Sequence, residues 1–338
     1  MNLFLYLLNS VTLFCLLISY STPYINPDSI LWPVAFLGLA YPFLLLINCL
    51  FLVYWLIRFK RHFWTNLIII SIGLAHFNNH FQFFDNEQNN QHRFSVMSFN
   101  VRLFNAYNWI EKKTTSDDII NFINTSNSDI VCLQEFYAPN ALPSINYPHK
   151  HIGLQNNRKK WRMATYSTYP IINKGTVSIF GETKNNVCIF SDINFKGDTI
   201  RLYNLHLASN WFQKEDYEFL ERPSVEGAEN IIERLKISFS KRSKQVQAIK
   251  KHMNTCHYPI IVCGDFNDTP NSYAYKVLSE GLNDSFSIKG SGISSTYNGK
   301  IPLLRIDYVL FSPELSLSNF KTHKANLSDH LPIQSFFN

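Results

Sequence analysis

Six short stretches of this chain deliver side chains suited to acid–base or metal chemistry. Asn100 follows Phe94-Ser-Val-Met-Ser-Phe, Glu135 follows Asp129-Ile-Val-Cys-Leu-Gln, and His206 closes Thr199-Ile-Arg-Leu-Tyr-Asn-Leu. Asp265 and Asn267 follow Pro259-Ile-Ile-Val-Cys-Gly, Asp307 sits in Arg305-Ile-Asp-Tyr-Val-Leu, and Asp329 and His330 lie in Ser328-Asp-His-Leu-Pro. Carboxylates and amides are the oxygen donors that hard divalent cations take, and a histidine beside a carboxylate can move protons. Asp265 and Asn267 share one side of an extended chain because side chains alternate there. Singly, each has an ordinary reading as a turn former, a solvated carboxylate or a packed histidine. Eight of them at or beside strand ends point to one site.

The elements that must position them are legible from periodicity. The apolar runs before Asn100, Glu135, His206 and Asp265 predict strands. Ser116-Asp-Asp-Ile-Ile-Asn-Phe-Ile123 has an N-cap and an acidic first turn, and predicts a helix between the first two strands. Ala228, Ile231, Leu235, Phe239, Val246, Ile249 and Met253 recur at three- and four-residue spacing, a long amphipathic helix feeding the Asp265 strand. Strand, helix, strand is the rhythm of a layered α/β domain.

Charge is unevenly spread along the 338 residues, whose net charge is +6. Residues 1–27 carry no charged side chain, and Leu3–Tyr20 is long enough to cross a bilayer, for which about 17–25 residues are needed. Ile30–Ile57 is a second such run, interrupted by Pro33, Pro42 and Asn48, and Phe63–Phe77 a shorter third. The first run lacks the basic start and small-residue cleavage site of a signal peptide. Two or three membrane helices over residues 1–77 are therefore expected, then a polar linker over 78–92 and one large domain over 93–338. Arg58, Lys60, Arg61 and His62 form the basic cluster between apolar runs and should face the cytoplasm. Three spans would then put the catalytic domain outside the inner membrane of a bacterium; two would leave it in the cytoplasm. The six cysteines show neither metal-ligand spacing nor a disulfide framework.

Five motifs in fixed order, Ser98-Phe-Asn100, Leu133-Gln-Glu135, Gly264-Asp-Phe-Asn267, Arg305-Ile-Asp307 and Ser328-Asp-His330, resemble the endonuclease/exonuclease/phosphatase superfamily with the DNase I-like fold. The resemblance covers nearly all of 93–338. It implies a four-layer α/β/β/α sandwich of two mixed sheets and Mg²⁺- or Mn²⁺-dependent hydrolysis of phosphate esters. It also implies roles: Glu135, Asp329 and Asn100 at the metal, Asp265 as orienting group or base for the attacking water, Asn267 and His206 as phosphate contacts, and His330 on the phosphate with Asp307 fixing its tautomer.

Arg102 stands where the abasic-site branch of that superfamily has an acidic residue or Asn. Met163–Pro170 only loosely echoes the usual strand before Tyr-Pro, and residues 209–233 read as an insertion bearing Trp211, Phe212, Tyr217 and Phe219. Asn157-Arg-Lys-Lys-Trp-Arg162 reads equally as a solvated loop or as a run that offers Arg158, Lys159, Lys160 and Arg162 to substrate, either nucleic acid phosphates with base stacking or anionic headgroups near a membrane. The leading expectation is a membrane-held nuclease. The alternatives are a phosphatase or phospholipase C-like hydrolase of lipid or inositol phosphates, and a catalytically dead binding protein. No obligate protein partner is evident in the sequence.

Overall fold

The structure, a computed structural model, describes residues 2–83, 92–138, 142–153, 161–179, 187–210 and 225–338. Its centre is a pair of six-stranded mixed sheets. The strands are β1 (Phe81–Gln82), β2 (Phe94–Asn100), β3 (Ile130–Tyr137), β4 (His149–Gly153), β5 (Trp161–Ser167), β6 (Ile171–Thr176), β7 (Cys188–Phe195), β8 (Asp198–His206), β9 (Ile260–Asp265), β10 (Asn283–Asp284), β11 (Gly292–Ile293), β12 (Asp307–Phe311), β13 (Leu317–Thr322) and β14 (Ile333–Phe337). One sheet runs β13-β14-β2-β3-β5-β4, the other β10-β12-β9-β8-β7-β6, and β1 pairs with β11.

Each large sheet has one parallel pair, β2 with β3 and β8 with β9. Parallel neighbours need a crossover, and the two helices read from sequence supply it: Thr115–Thr125 joins the first pair and Val225–Met253 the second. The first of these begins at Thr115, and its cap residue Thr114 makes no side-chain cap bond, so Ser116 lies inside the first turn.

Alternation along the strands divides three apolar layers. Phe94, Val96, Ile130 and Cys132 face Ile200, Leu202, Ile261 and Cys263 across the sandwich. The opposite face of the first sheet, with Met97, Phe99, Val131 and Leu133, buries Ile119 and Ile123 of the crossover helix. The outer face of the second, with Tyr203, Leu205, Val262 and Tyr308, packs on Val246, Ile249 and Met253. The result is the expected α/β/β/α sandwich, and all six cysteines are free.

Helices Asn2–Ser19, Tyr41–Ile57 and His62–Ile72 precede the sandwich. The first, extended to Tyr24, is long and apolar enough to cross a membrane. The Ile30–Ile57 run is not straight: Trp32–Leu39 and Tyr41–Ile57 meet at 63°. Pro42 opens the second of those helices, where a missing N–H is tolerated. The third apolar run is shorter than expected, because the chain leaves helix geometry at Gly73 before Leu74–Asn78. Of the expected linker, residues 84–91 lie outside the described residues, while Phe81 and Gln82 pair with β11.

These N-terminal helices have an inverted surface. Leu3, Phe4, Phe14, Leu50 and Ile57 are exposed, while Asn9, Asn48 and Asn66 are buried. Asn9 bonds Asn66 and Trp55, Thr12 bonds Asn48, and Tyr20 donates to Ile69 O, so the helices lie side by side in alternating directions.

Candidate active site

Register alone brings three ionisable residues into line. His206 of β8 and Asp307 of β12 both pair with Asp265, the last residue of β9 between them. Gly264 makes this possible. Its φ is +139°, and a Cβ there would lie 2.0 Å from Leu205 O on the neighbouring strand, so only glycine lets β8 and β9 approach so closely.

Asp265 is the hub. Its Oδ2 accepts from Asn100 Nδ2 at 3.0 Å, reaching across from the other sheet, and from Asn267 Nδ2 at 3.1 Å. Its Oδ1 accepts from Asn267 N at 2.8 Å. His206 Nε2 and His330 Nε2 both stand 3.7 Å from Oδ2. Asn267 holds φ +53°, turning its amide back so that it also donates to Leu207 O. Burial pushes the Asp265 carboxyl up to about 6, with Asp307 adding to the rise and His330 and His206 opposing it.

His330 is buried with Nδ1 3.0 and 3.2 Å from the two oxygens of Asp307. Burial disfavours its charged form, but the carboxylates of Asp307 and Asp265 outweigh that and hold its pKa well above the ordinary value. His206 goes the other way: burial lowers its pKa despite Asp265. The two imidazoles that flank the same carboxylate are thus pushed in opposite directions.

Glu135 does not sit at the end of its strand, as the sequence suggested, but within β3. The register with β5 slips between Leu133 and Phe136, and Glu135 has φ +49°. Such a bulge re-aims a side chain, here toward the mouth, where Glu135 Oε1 lies 3.6 Å from His206 Nε2 and 3.4 Å from Asn100 Nδ2. Burial and the nearby Asp329 raise the Glu135 pKa.

Beneath these groups a buried polar tie joins the sheets. Gln134 Nε2 donates to Asn204 Oδ1 at 2.8 Å, and Asn204 Nδ2 donates to Leu133 O and Ala164 O.

All eight motif residues therefore lie around one mouth. Of the substrate-binding cations, Arg162 is in β5 opposite Phe136, next to the bulge, whereas Arg158, Lys159 and Lys160 lie outside the described residues. So do residues 211–224 of the insertion; its last residues begin the long helix.

Three contributors had not been expected. Arg102, two residues beyond Asn100, places Nε 3.2 Å from Asp329 Oδ2 and stacks over Trp109 at 4.5 Å. Its spacing from Asn100 was the available signal. Tyr297 forms a bridge with His330 and sets its ring edge-on at 5.8 Å, and Thr296 Oγ1 accepts from the N–H groups of Ile306 and Asp307. Neither had a signal in the sequence.

For a hard cation, two sets of donors compete. Asp265, Asp307 and His330 have ligand atoms within 4.8 Å of one another. A protonated imidazole, however, has no lone pair to give. Glu135, whose charged form is disfavoured by burial and by the nearby Asp329, offers with Asp329 a pair of carboxylates that fits a divalent ion better.

Residues 97–330 match the model of the endonuclease/exonuclease/phosphatase family, and residues 2–80 match a model described only as a domain of unknown function. No curated protein matches. Among solved structures, a 3′-5′ exonuclease from Neisseria meningitidis is similar in fold, with TM-score 0.53, 16% identity, and coverage of 72% of this chain and 99% of that one. A Neisseria 3′ phosphatase bound to a product DNA hairpin gives 0.51 and 16%, with the same coverage. A mannosyl-6-phosphatase from Bacteroides thetaiotaomicron gives 0.53 and 17% over 72% and 99% of the two chains.

Proposed function

Because the chain belongs to the endonuclease/exonuclease/phosphatase family and is therefore a phosphoester hydrolase, we propose that the cluster around Asp265 is its hydrolytic site and that it works with Mg²⁺ or Mn²⁺. The observation that carries this reading is the pair of imidazoles, each 3.7 Å from one oxygen of the buried Asp265 carboxylate, with Asp307 holding the far nitrogen of one of them. Keeping ionisable groups buried and perturbed in this way serves chemistry more readily than packing, which also disfavours the catalytically dead alternative.

Asp265, with its pKa near neutrality, takes the proton of the attacking water. Asn100 and Asn267 hold that carboxylate still. His330, kept charged by Asp307, donates to a phosphoryl oxygen as charge builds there. Neutral His206 faces the same space and contacts the phosphate or the departing oxygen. Glu135 and Asp329 would hold the divalent cation, which when bound neutralises charge on the phosphoryl oxygens. Asn100 points Nδ2 at Glu135 and Asp265 while its Oδ1 accepts from Arg102 N, so it positions the carboxylates.

We further propose that residues 2–78 lie in a bilayer. Exposed leucines over buried asparagines are what a lipid-facing bundle requires, and in water so large an apolar face would be a liability. Three passes follow from the alternating directions, with His62–Ile72 and Leu74–Asn78 together as the third, about 24 Å for their 16 helical residues. Arg58–His62 then lies at the end remote from the sandwich, and positive charge on the cytoplasmic side places residues 93–338 outside.

The test uses the full chain in detergent with bis(p-nitrophenyl) phosphate, oligonucleotides, phospholipid and inositol phosphates. Turnover should require Mg²⁺ or Mn²⁺. Saturating metal should also raise thermal stability, by about 2.7 kcal/mol at a hundred times Kd, and Glu135→Gln should remove that gain. Undiminished turnover in excess chelator would overturn the metal assignment.

A further inference from the structure

Three of the places at which the N-terminal segment is fastened to the rest of the chain lie at the catalytic end of the sandwich. Directly after Asp265 and Asn267, Thr269 Oγ1 donates to Gly38 O at 3.0 Å, Thr22 Oγ1 donates to Asn271 O, and His76 Nδ1 meets Asn271 Oδ1 at 3.1 Å. The fit at Gly38 is close enough that a Cβ would come within 2.3 Å of Asn271 O. Between β10 and β12, Ser294 N donates to His80 O and Ile293 pairs with Phe81, a few residues before Tyr297 meets His330. The third place is the long helix, where Phe36 packs edge-on against Phe239, Lys236 lies over Trp32, and Ser240 and Lys244 both reach Asp28.

Every one of these contacts comes from the end of the bundle opposite Arg58–His62. If that bundle fills the bilayer, the boundary between lipid and water runs along the segments at Thr22–Asp28, Trp32–Gly38 and His76–Phe81. The ends of β9 and β12 are held against that boundary. The exposed side chains nearby suit such a position. Ile30 and Leu31 stand out beside the bundle, Tyr107 and Trp109 are exposed beyond Asn100, and Ile232 and Ile237 flank Lys236 on the long helix. Aromatic rings and cations with apolar neighbours are what a membrane interface gathers.

We propose that the substrate of this site is a phosphoester carried on a lipid and presented from the same bilayer that holds the enzyme. The proposal rests on the phosphoester-hydrolase and membrane readings above, and names the substrate class they leave open. A nucleic acid would have to approach from water a site whose edge is held against the bilayer surface. A lipid phosphoester already lies there at high local concentration. In the reaction the water oxygen bonds to phosphorus and the P–O bond to the leaving alcohol breaks. The water proton passes to Asp265, and the leaving oxygen takes a proton from solvent. One water is consumed, with no oxidation or reduction, and at least one product keeps the lipid chain.

The experiment reconstitutes the full chain into phosphatidylcholine nanodiscs with Mg²⁺. The discs contain either phosphatidylglycerol or phosphatidic acid. Parallel arms supply glycerol 3-phosphate and glycerophosphoglycerol in water, a single-stranded oligonucleotide, and bis(p-nitrophenyl) phosphate as an undemanding soluble ester. The expected result is turnover of at least one lipid at roughly a hundredfold higher kcat/KM than its water-soluble headgroup, the scale that effective concentration supplies. Its rate should follow the mole fraction of substrate in the disc and not its bulk concentration. Turnover of the oligonucleotide or the soluble esters with no lipid cleaved, or lipid cleaved no faster than its free headgroup, overturns the proposal while leaving the hydrolase intact. Failure on bis(p-nitrophenyl) phosphate as well as everything else removes the hydrolase reading, and this one with it.

Discussion

Replacing Asp307 with asparagine should cost nearly as much turnover as deleting the His330 side chain. The carboxylate accepts from Nδ1 through oxygens at 3.0 and 3.2 Å, and it is the chief influence raising the pKa of His330 against burial. A positioned acid or base contributes about 10²–10⁴ in rate, or roughly 3–5 kcal/mol at about 1.4 kcal/mol per decade. His330→Ala should lose that much, and Asp307→Asn should come within about tenfold of it. If the two residues act as one unit, the double variant loses only a few-fold more, where independent effects would multiply to about 10⁴–10⁸. A second readout separates this from simple disruption. In the wild type His330 stays charged through neutral pH, so turnover has no falling limb there. Without Asp307 its pKa drops toward or below the ordinary value of about 6.5, and turnover should fall as pH rises through neutrality. Asp307→Asn can shed the stranded imidazolium proton, so the melting temperature should drop by no more than about 10 °C. Steady-state turnover from pH 5 to 9, with thermal melts alongside, makes the measurement. Multiplying losses, or an unchanged pH profile in Asp307→Asn, would refute the coupling.

The two remaining expectations concern the base and the membrane. Because the Asp265 carboxyl is raised to about 6, it is protonated and idle below that pH, so wild-type turnover should fall about tenfold per unit under pH 6. Asp265→Asn should lose about 10²–10⁴ and keep its melting transition. A reporter fused after Asn338 should be active only outside the cytoplasm, and one placed between Arg58 and His62 only inside; activity of both inside the cytoplasm would mean an even number of passes, and the reverse pattern an inverted orientation.

The apolar strands, their crossover helices and the residues they deliver were readable because period-two and period-3.6 patterns are local. Asp265, His206 and Asp307 fell into one row once the parallel and antiparallel registers were fixed. Glu135 was expected at a strand end and lies within its strand, since a bulge with positive φ leaves no mark in composition. Arg102 was read as a missing ligand, although it brings a guanidinium to Asp329. The bend at Ala40 and the break at Gly73 were hidden by apolar runs that look continuous. The joints between Thr22, Gly38 and His76 and the loop at 269–271 link residues some 200 positions apart, and no periodicity reports such a contact.

The tie between Gln134 and Asn204 has a mechanical consequence. Over most of the sandwich the gap between the sheets is set by the volume of apolar side chains such as Ile261 and Phe337, and trimming one of them lets the layers settle. Under the site the gap is set by hydrogen bonds of fixed length. That end behaves as a pivot: substitutions deep in the sandwich tilt one sheet on the other but leave the span from Asn100 to Asp265 nearly constant. Drift in core packing can therefore proceed at the far end without detuning the catalytic geometry, whereas Asn204→Leu, almost the same volume, would free the pivot and let the two halves of the site part.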